Sequence, residues 1–493
     1  MLTYSFENRG SDTLYEYLYK QIKKDIISRK LIPHEKLPSK RMLAKHLNIS
    51  TITVESAYSQ LIAEGYLYSI PKSGFYVCEI EAGGAFEGYM PLAKRNLPVK
   101  GDGQSDFNSD ADNMHTWTAS ATQESQFKQV YFADFVNNRA ISANFPFSTW
   151  TKLMRDAMAG DTSRLLDRPP SAGIYELRCA IADYLYQFRG MSVSPEQIVV
   201  GAGTEYLYGL IIQLLGHDRC YGVEDPGYQK ISRIYQANQI ACRHIAMDKY
   251  GIDMEALNES GADVLHISPS HHFPTGLVTP VSRRYELLSW ASEDADRYII
   301  EDEYDSEFRL VGKSIPSLQS IDVTDKVIYI NTFSKSLAST IRISYMVLPK
   351  PLMERYNREL SFYACTVSNF DQYTLTGFIK DGYLEKHINR MRNYYRTLRD
   401  TILSAIKKHD YYDHVTIREE NAGLHFLLKL DTDYDDGEIV NRAAQNGIHI
   451  SCLSQYYYEV KKAVPHTLII NYSGIGMEYA EEAIDRLLKS LFT

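Results

Sequence analysis

The fold of this chain is indicated by the stretch Asn331-Thr332-Phe333-Ser334-Lys335-Ser336-Leu337. The apolar run Val327-Ile328-Tyr329-Ile330 precedes it and predicts a buried strand, and Arg342 follows seven residues after Lys335. A lysine amine at the end of a buried strand can form a Schiff base with an aldehyde cofactor. The hydroxyl of Ser334 and the guanidinium of Arg342 can hold a phosphate group. The pattern is weak by itself, because most lysines are solvated surface groups.

A second strand-like run, Tyr298-Ile299-Ile300, leads into the acidic cluster Glu301-Asp302-Glu303-Tyr304-Asp305. Asp302 lies at the carboxyl end of the predicted strand, where open α/β sheets bind ligands. Its carboxylate can pair with a protonated pyridine nitrogen, and Tyr304 can hydrogen-bond the phenolic oxygen of the same ring. Together with Lys335, these residues predict a site for pyridoxal 5′-phosphate (PLP). Taken alone, the acidic cluster would favour a solvated turn.

Three further segments occur in a consistent order before these two. Gly201-Ala202-Gly203-Thr204-Glu205 predicts a glycine turn and a helix start, which can bind a phosphate through backbone N–H groups. Pro226-Gly227-Tyr228 offers an aromatic ring for stacking. The third segment runs from Ser268 to Gly276 and lies where it is expected in this order of motifs. Each signal is weak alone, and their joint order favours the cofactor site. The predicted cofactor contacts are Asp302, Tyr304, Ser334, Arg342, Gly203, Thr204, Glu205 and Tyr228, with Lys335 as the covalent attachment.

The amino-terminal region shows a different pattern. Helical periodicity predicts a helix over 13–30, and Ser39 and Ser50 predict the N-caps of two further helices, the first over 40–46. Short strands at 66–69 and 75–77 surround a Pro-Lys-Ser-Gly turn at 71–74 and predict a hairpin. Helix, helix–turn–helix and hairpin is the order of a winged helix, whose second helix of the pair lies in the major groove of DNA.

The predicted DNA-contacting residues lie at the helix starts and in the hairpin. They are Lys36, Ser39, Lys40, Arg41, Thr51, Thr53, Lys72 and Ser73, with Ile52 and Ser56 as further base-facing candidates. The alternative is a three-helix protein-binding module with ordinary surface lysines. Charge favours DNA, because residues 1–78 contain 11 Lys and Arg against 7 Asp and Glu, whereas the whole chain has a net charge of −9.

On these motifs, residues 130–493 resemble a fold-type-I aminotransferase domain and residues 12–78 resemble a GntR-type winged helix. Together they are similar to the MocR/GabR class of bacterial transcription regulators. The resemblance implies an α/β fold, with an N-terminal winged helix–turn–helix and a large PLP-binding domain built on a mostly parallel sheet. It also implies a double-stranded DNA operator, a small-molecule effector and a homodimer with cofactor sites at the subunit interface.

Composition bounds the remaining possibilities. The chain has 493 residues, enough for two or three domains, and no apolar run approaches the roughly 18 residues of a membrane span. The N-terminus is unlike a signal peptide, and six scattered cysteines predict reduced thiols without a disulfide framework or metal site, so we expect a cytoplasmic protein. Residues 79–129 are rich in Gly, Asp and Ser without periodicity and predict a flexible linker.

The resemblance fails where an aminotransferase anchors its substrate carboxylate. Aminotransferases usually use a C-terminal arginine, and this sequence has Gly474 at that position. The GABA-responsive relative adds an arginine where this sequence has Lys230, and aminotransferases carry an asparagine where it has Phe273. Lys230 is therefore a candidate effector contact, but GABA-like amino acids are disfavoured and PLP itself is an alternative signal.

Two functions follow from the sequence. The first is a PLP-binding transcription regulator, with catalytic turnover disfavoured but left open. The alternative is an active PLP-dependent aminotransferase with an appended DNA-binding head. A PLP-free interaction protein is disfavoured by the joint presence of Asp302, Tyr304, Ser334, Lys335 and Arg342.

Overall fold

The structure is a computed structural model, and it describes residues 4, 6, 12–70, 74–78, 131–137, 144–160, 162–310, 315–421 and 423–493. The predicted linker at 79–129 lies outside the described residues, and so do two of the predicted DNA contacts, Lys72 and Ser73.

The amino-terminal region folds as predicted into three helices and a small antiparallel sheet, in the strand order β1-β3-β2. The Ser39 and Ser50 side chains cap the second and third helices by accepting the backbone N–H groups of Met42 and Thr53. Both predicted N-caps are confirmed. The elements are α1 (Leu14–Ile27), β1 (Lys36–Leu37), α2 (Lys40–Leu47), α3 (Thr51–Ala63), β2 (Leu67–Ile70) and β3 (Gly74–Val77).

The rest of the described chain forms a large α/β region and a smaller carboxyl-terminal one. The first contains α4 (Phe147–Ala159), α5 (Thr162–Leu166), α6 (Tyr175–Arg189), β5 (Ile198–Gly201), α7 (Thr204–Leu215), β6 (Cys220–Asp225), α8 (Gln229–Ala237), β7 (Ala241–Asp248), β8 (Gly251–Ile252), α9 (Met254–Glu259), β9 (Val264–Ile267), α10 (Val281–Ser292), β10 (Tyr298–Glu303), β11 (Val327–Thr332), α11 (Phe333–Ser336), β12 (Ser344–Val347), α12 (Lys350–Glu359) and α13 (Asn369–Lys380). The second contains β4 (Ala133–Asp134), which pairs with β15, and then α14 (Tyr383–Lys408), β13 (Val415–Arg418), β14 (His425–Leu430), α15 (Asp436–Gln445), β15 (Ile448–His449), β16 (Ser451–Cys452), β17 (Thr467–Asn471) and α16 (Ala480–Phe492).

The large sheet has the strand order β5-β12-β11-β10-β9-β6-β7-β8. Strands β11, β10, β9, β6 and β7 run parallel, whereas β12 is antiparallel to both of its neighbours, so the predicted mostly parallel sheet is confirmed. Strand β11 is buried along its whole length and β10 at every residue after Tyr298, as expected for a sheet covered by helices on both faces. Because these two strands are parallel neighbours, their carboxyl ends meet at one edge of the sheet. Asp302 lies near the end of β10, and Lys335 lies in the turn of helix that follows β11.

The smaller region is an antiparallel sheet in the order β13-β14-β17-β16, covered by α14 and α16. Its core is continuous with residues that follow β10, including Phe308 and Leu310. This packing brings the start of β14 close to the segment that follows β9, because the rings of His425 and His271 lie 4.6 Å apart, centroid to centroid.

The winged helix lies against the start of α10. The backbone N–H of Val281 donates to the carbonyl oxygen of Glu64 at 3.1 Å, and Val281 is buried in the hydrophobic core of the winged helix. Gly65 has a φ of +78°, and a Cβ atom there would lie 2.7 Å from Cβ of Pro280. The close approach of the two regions therefore requires glycine at this position.

Within the described ranges, we find no helix whose length and apolar character would let it span a lipid bilayer.

Candidate cofactor site and DNA-binding surface

Lys335 lies in α11, the single helical turn that directly follows β11. The Thr332 hydroxyl accepts the backbone N–H of Ser334 at 3.1 Å, and the Ser334 hydroxyl donates to the carbonyl oxygen of Ile341 at 2.8 Å. These bonds fix the chain around the lysine. Burial lowers the pKa of the Lys335 amine, which makes the neutral, nucleophilic form more accessible.

Asp302 is the buried carboxylate near the carboxyl end of β10. Its Oδ2 atom accepts a hydrogen bond from the Tyr208 hydroxyl and lies 3.4 Å from Nε2 of His266. The Tyr235 hydroxyl lies 2.6 Å from Nδ1 of His266 and extends this network. The other carboxylate oxygen, Oδ1, is buried with no hydrogen-bond partner among the described residues. Because an unpaired buried oxygen is costly, a protonated pyridine nitrogen fits here as the missing donor.

Tyr304 follows β10 and contacts a buried histidine. Its hydroxyl lies 3.3 Å from Nδ1 of His271, and the same nitrogen lies 2.8 Å from Oδ2 of Asp305. The ring of His271 lies 4.6 Å from the ring of His425, centroid to centroid. Burial raises the pKa of Tyr304 well above 10 and lowers the pKa of His425 well below 6.5. Tyr304 therefore stays protonated at neutral pH and can donate to a phenolic oxygen.

The phosphate side of the site is formed by the start of α7 and by Arg342. Gly203 has a φ of +95°, which favours glycine, and a Cβ atom there would lie 2.3 Å from Nη2 of Arg342 in its present position. Arg342 donates to the carboxylate of Glu205 at 2.5 Å, and Lys230 donates to the same carboxylate. Burial opposes ionisation of Glu205, but Lys230 and Arg342 together lower its pKa. The Ser334 hydroxyl already donates its hydrogen to the carbonyl oxygen of Ile341.

Aromatic side chains line the outer wall of the site. Tyr228 is half-exposed, and its ring meets Phe273 edge to face at 6.1 Å. Phe273 also contacts Tyr456 at 5.1 Å and His425 at 5.3 Å. The position where aminotransferases carry asparagine is therefore occupied by an apolar ring packed among other rings.

The structure adds residues to the site that were not predicted from the sequence. Tyr208 lies one helical turn after Thr204 on α7, a spacing that places both on one face of the helix. His271 is in the 268–276 segment that was noted for its order alone. The missed residues are Tyr208, Tyr235, His266, His271 and His425.

The predicted DNA-binding side chains are mostly exposed at the starts of α2 and α3. Lys36, Arg41 and Thr51 are exposed, whereas Lys40 is partly covered and pairs with Glu55 at 2.6 Å. The hydroxyls of Ser39 and Thr53 both take part in the helix caps. The contact with α10 involves the residues after the end of α3, so it leaves the start of α3 uncovered.

Family models match both parts of the chain. The model described as bacterial regulatory proteins, gntR family, matches residues 14–77, and the model described as aminotransferase class I and II matches residues 136–487. The second match covers more than half of the chain, so the larger region belongs to the aminotransferase class I and II family. Pyridoxal phosphate is the cofactor of this family. The residues of the site fit it, because they include the unpaired oxygen of Asp302, the partly buried Lys335 and Arg342.

Curated relatives share both regions. The uncharacterized HTH-type transcriptional regulator YdeL of Bacillus subtilis is 36% identical over 98% of each chain. The probable rhizopine catabolism regulatory protein MocR of Rhizobium meliloti is 28% identical, covering 97% of this chain and 94% of that protein. The pyridoxine biosynthesis transcriptional regulator PdxR of Corynebacterium glutamicum is 28% identical, covering 89% of this chain and 88% of that protein.

Among solved structures, a kynurenine aminotransferase from Pyrococcus horikoshii matches with a TM-score of 0.64 and 23% identity, over 74% of this chain and 91% of that one. At this identity the likeness concerns the fold. The full-length relatives are named as regulators, which favours regulation over the aminotransferase alternative. The chain therefore belongs to the MocR-type transcriptional regulators, in which a DNA-binding GntR domain precedes an aminotransferase-like domain.

Proposed function

We propose that this regulator acts as a homodimer, that it holds PLP covalently on Lys335, and that its DNA binding changes when the cofactor site changes occupancy. The signal is a small amine, an amino-acid-like molecule or PLP itself. Because the target is an operator in bacterial DNA, we expect the protein to act in the cytoplasm. The proposed division is a winged helix at 12–78, a linker at 79–129 and a PLP-binding domain at 130–493.

The observation that carries this proposal is the convergence of three groups at one edge of the sheet. They are the partly buried Lys335 amine, the Asp302 carboxylate with its unpaired oxygen, and the Arg342 guanidinium beside Gly203. Bound PLP supplies an electrophilic carbon for amines and a ring that can accept electrons. In our proposal Asp302 keeps the ring nitrogen protonated, Tyr304 donates to the ring hydroxyl, and Arg342 with the start of α7 holds the phosphate.

The substrate side of the site supports sensing rather than turnover. Transamination requires that the substrate carboxylate be held so that its α-hydrogen faces the lysine. Lys230, the candidate anion contact, already pairs with Glu205, and Gly474 offers no side chain. An ammonium group also lacks the two-pronged geometry of arginine. A site without this clamp can bind amines but holds no amino acid in a productive orientation.

The proposal is tested with the full-length protein, PLP and DNA from upstream of its own gene. Titration with PLP should produce visible absorbance, and borohydride followed by peptide mass mapping should fix the label on Lys335. Lys335→Ala should lose the reducible label, whereas Lys350→Ala, which removes an exposed lysine on α12, should keep it. The mobility of the DNA fragment should change with PLP in the unmodified protein and not in Lys335→Ala.

Two results would contradict the proposal. A reducible adduct that persists in Lys335→Ala would show that another lysine carries the cofactor. Sustained turnover with a panel of amino and keto acids, without any effect of PLP or amines on DNA binding, would favour the aminotransferase alternative.

A further inference from the structure

We propose that Glu205 competes with the phosphate of PLP for Arg342, and that this competition sets the affinity for the cofactor. The sequence alone placed Glu205 among the cofactor contacts, because it follows Gly203 and Thr204 at the start of α7. Our proposal gives it the opposite role. The inference rests on the proposed function, since it concerns how the same site senses PLP.

The first step is the set of bonds around Glu205. Its carboxylate accepts from Nη2 of Arg342 at 2.5 Å with one oxygen and from Nζ of Lys230 with the other. These two cations come from distant segments, and both point at one carboxylate in the first turn of α7. A helix start and an arginine are the two features that would hold a phosphate. Glu205 therefore occupies the partners that the phosphate needs.

The second step is charge. Lys230 and Arg342 keep Glu205 ionised, because together they outweigh the opposing effect of burial on its pKa. A phosphate group also carries more than one negative charge at neutral pH. Two anions sharing Arg342 repel each other, so phosphate binding weakens the ion pair of the guanidinium with Glu205. The phosphate therefore binds at the expense of that ion pair.

The third step concerns the partner that Glu205 keeps when Arg342 binds the phosphate. Lys230 holds the second oxygen of the carboxylate and can retain it when Arg342 turns to the phosphate. Lys230 then serves as the resting partner of Glu205 rather than as an anchor for an effector carboxylate. Arg342 and Lys230 have side chains that are 47% and 52% exposed, so both have room to move.

The consequence concerns sensing. A site whose phosphate partners were free would bind PLP tightly and stay loaded. A site that must first give up an internal ion pair binds PLP more weakly, so its occupancy follows the cofactor concentration. Pyridoxal has the same ring and aldehyde without the phosphate, and its binding should not involve this exchange.

The experiment compares the dissociation constants of PLP and pyridoxal for the full-length protein, measured by absorbance. Glu205→Gln should tighten PLP binding by about tenfold, the size of one hydrogen bond to a charged group. It should change pyridoxal binding by less than about twofold. The inhibition constant of inorganic phosphate against PLP binding, corrected for the PLP affinity of each protein, should also be lower in this variant.

The matched control is Glu359→Gln on α12. Glu359 has the same side-chain exposure as Glu205, 38%, and likewise accepts from two cations, Arg355 and Arg358. It lies outside the site, so the variant should leave both dissociation constants unchanged. Glu205→Ala, with thermal unfolding recorded beside it, should tighten PLP binding as Glu205→Gln does.

A third variant tests the role of Lys230. Lys230→Gln should weaken PLP binding more in the unmodified background than in the E205Q background, because Glu205 would then depend on Arg342 alone. Equal losses in the two backgrounds would show that Lys230 acts on the phosphate directly and would overturn its role as a resting partner.

The outcomes separate the inference from the proposed function. If PLP binds and Glu205→Gln leaves its affinity unchanged or weakens it, Glu205 is no competitor and the inference alone fails. Equal tightening of PLP and pyridoxal binding would show that the phosphate is not involved, and again the inference alone would fail. If neither compound binds the unmodified protein, both the proposed function and the inference fail.

Discussion

The winged helix and the aminotransferase-like domain present their binding groups in opposite ways. In the winged helix, most of the predicted DNA contacts that the structure describes are exposed to solvent, and Ile52 at the start of α3 is 73% exposed. In the aminotransferase-like domain, Asp302 is 6% exposed and is held by Tyr208 and His266. The first surface is adapted to a long polyanion, and the second to one small ring.

This difference predicts the size of mutational effects. Exposed charges attract DNA phosphates over some distance, are screened by salt, and contribute modestly one by one. Buried groups act at fixed geometry with little screening, so the loss of a partner costs more. Substitutions in the winged helix should therefore give graded changes, and those in the site should give larger ones.

A second contrast lies within β10, where three acidic residues in succession are buried. Glu301 accepts the backbone N–H groups of Leu318 and Gln319, and Glu303 pairs with Arg189 at 2.9 Å. Alternation along the strand places Asp302 on the face opposite to Glu301 and Glu303, where Tyr208 holds Oδ2 and Oδ1 has no partner among the described residues. The neighbours secure the strand, and Asp302 remains available to a ligand.

The largest effect is expected from removing the winged helix. Deletion of residues 1–78 should abolish DNA binding while the protein keeps PLP absorbance and sediments as a dimer. The reason is charge, because residues 1–78 carry the excess of Lys and Arg and the remainder is acidic. A truncated protein that still shifts the DNA fragment, or that sediments as a monomer with PLP bound, would contradict the two-part architecture.

Glu303→Gln should destabilise the fold strongly, because it leaves the buried Arg189 without its charged partner. Both side chains are at most 5% exposed, and breaking a buried pair typically costs about 3–5 kcal/mol. Urea unfolding of the full-length protein measures the change. Glu359→Gln, which removes an exposed ion pair, is the control and should leave the midpoint unmoved. A midpoint for Glu303→Gln equal to that of the control would show that the Arg189 pair contributes no stability.

Asp302→Asn should weaken PLP binding with little effect on folding. The substitution removes the negative charge that pairs with the ring nitrogen, a contact worth about 1.5–3 kcal/mol, or roughly ten- to a hundredfold in affinity. Tyr208 can still donate to the amide oxygen, so the local network survives. Titration by absorbance measures the loss. Unchanged affinity would mean that another residue pairs with the ring nitrogen.

The sequence predicted those parts of the molecule that depend on local chemistry. The caps at Ser39 and Ser50 were predictable because a serine side chain bonds to an N–H group three residues away. Asp302 and Lys335 were placed at strand ends because apolar runs precede them. Strand β1 was missed, since its two residues are defined only by pairing with Phe75 and Tyr76 of β3.

Contacts between distant segments could not be predicted. Tyr208 reaches Asp302 across 94 positions of sequence, and Arg342 reaches Glu205 across 137. Glu205 was therefore predicted as a cofactor contact without knowledge of its ion pairs with Arg342 and Lys230. The contact of Val281 with Glu64 likewise depends on how two regions pack, for which the sequence carries no periodic signal.

The smallest effects are expected from substitutions of exposed side chains in α2 of the winged helix. Arg41→Ala should weaken DNA binding and lower the slope of log affinity against log salt by about one, because one phosphate contact is lost. Lys40→Ala should do less, since Lys40 is already paired with Glu55 at 2.6 Å. Lys350→Ala, an exposed cation of the larger domain, is the control and should leave DNA binding unchanged. PLP absorbance should be intact in all three variants, because the winged-helix surface and the cofactor site share no side chain. Loss of PLP from Arg41→Ala would show instead that the two binding surfaces form one unit.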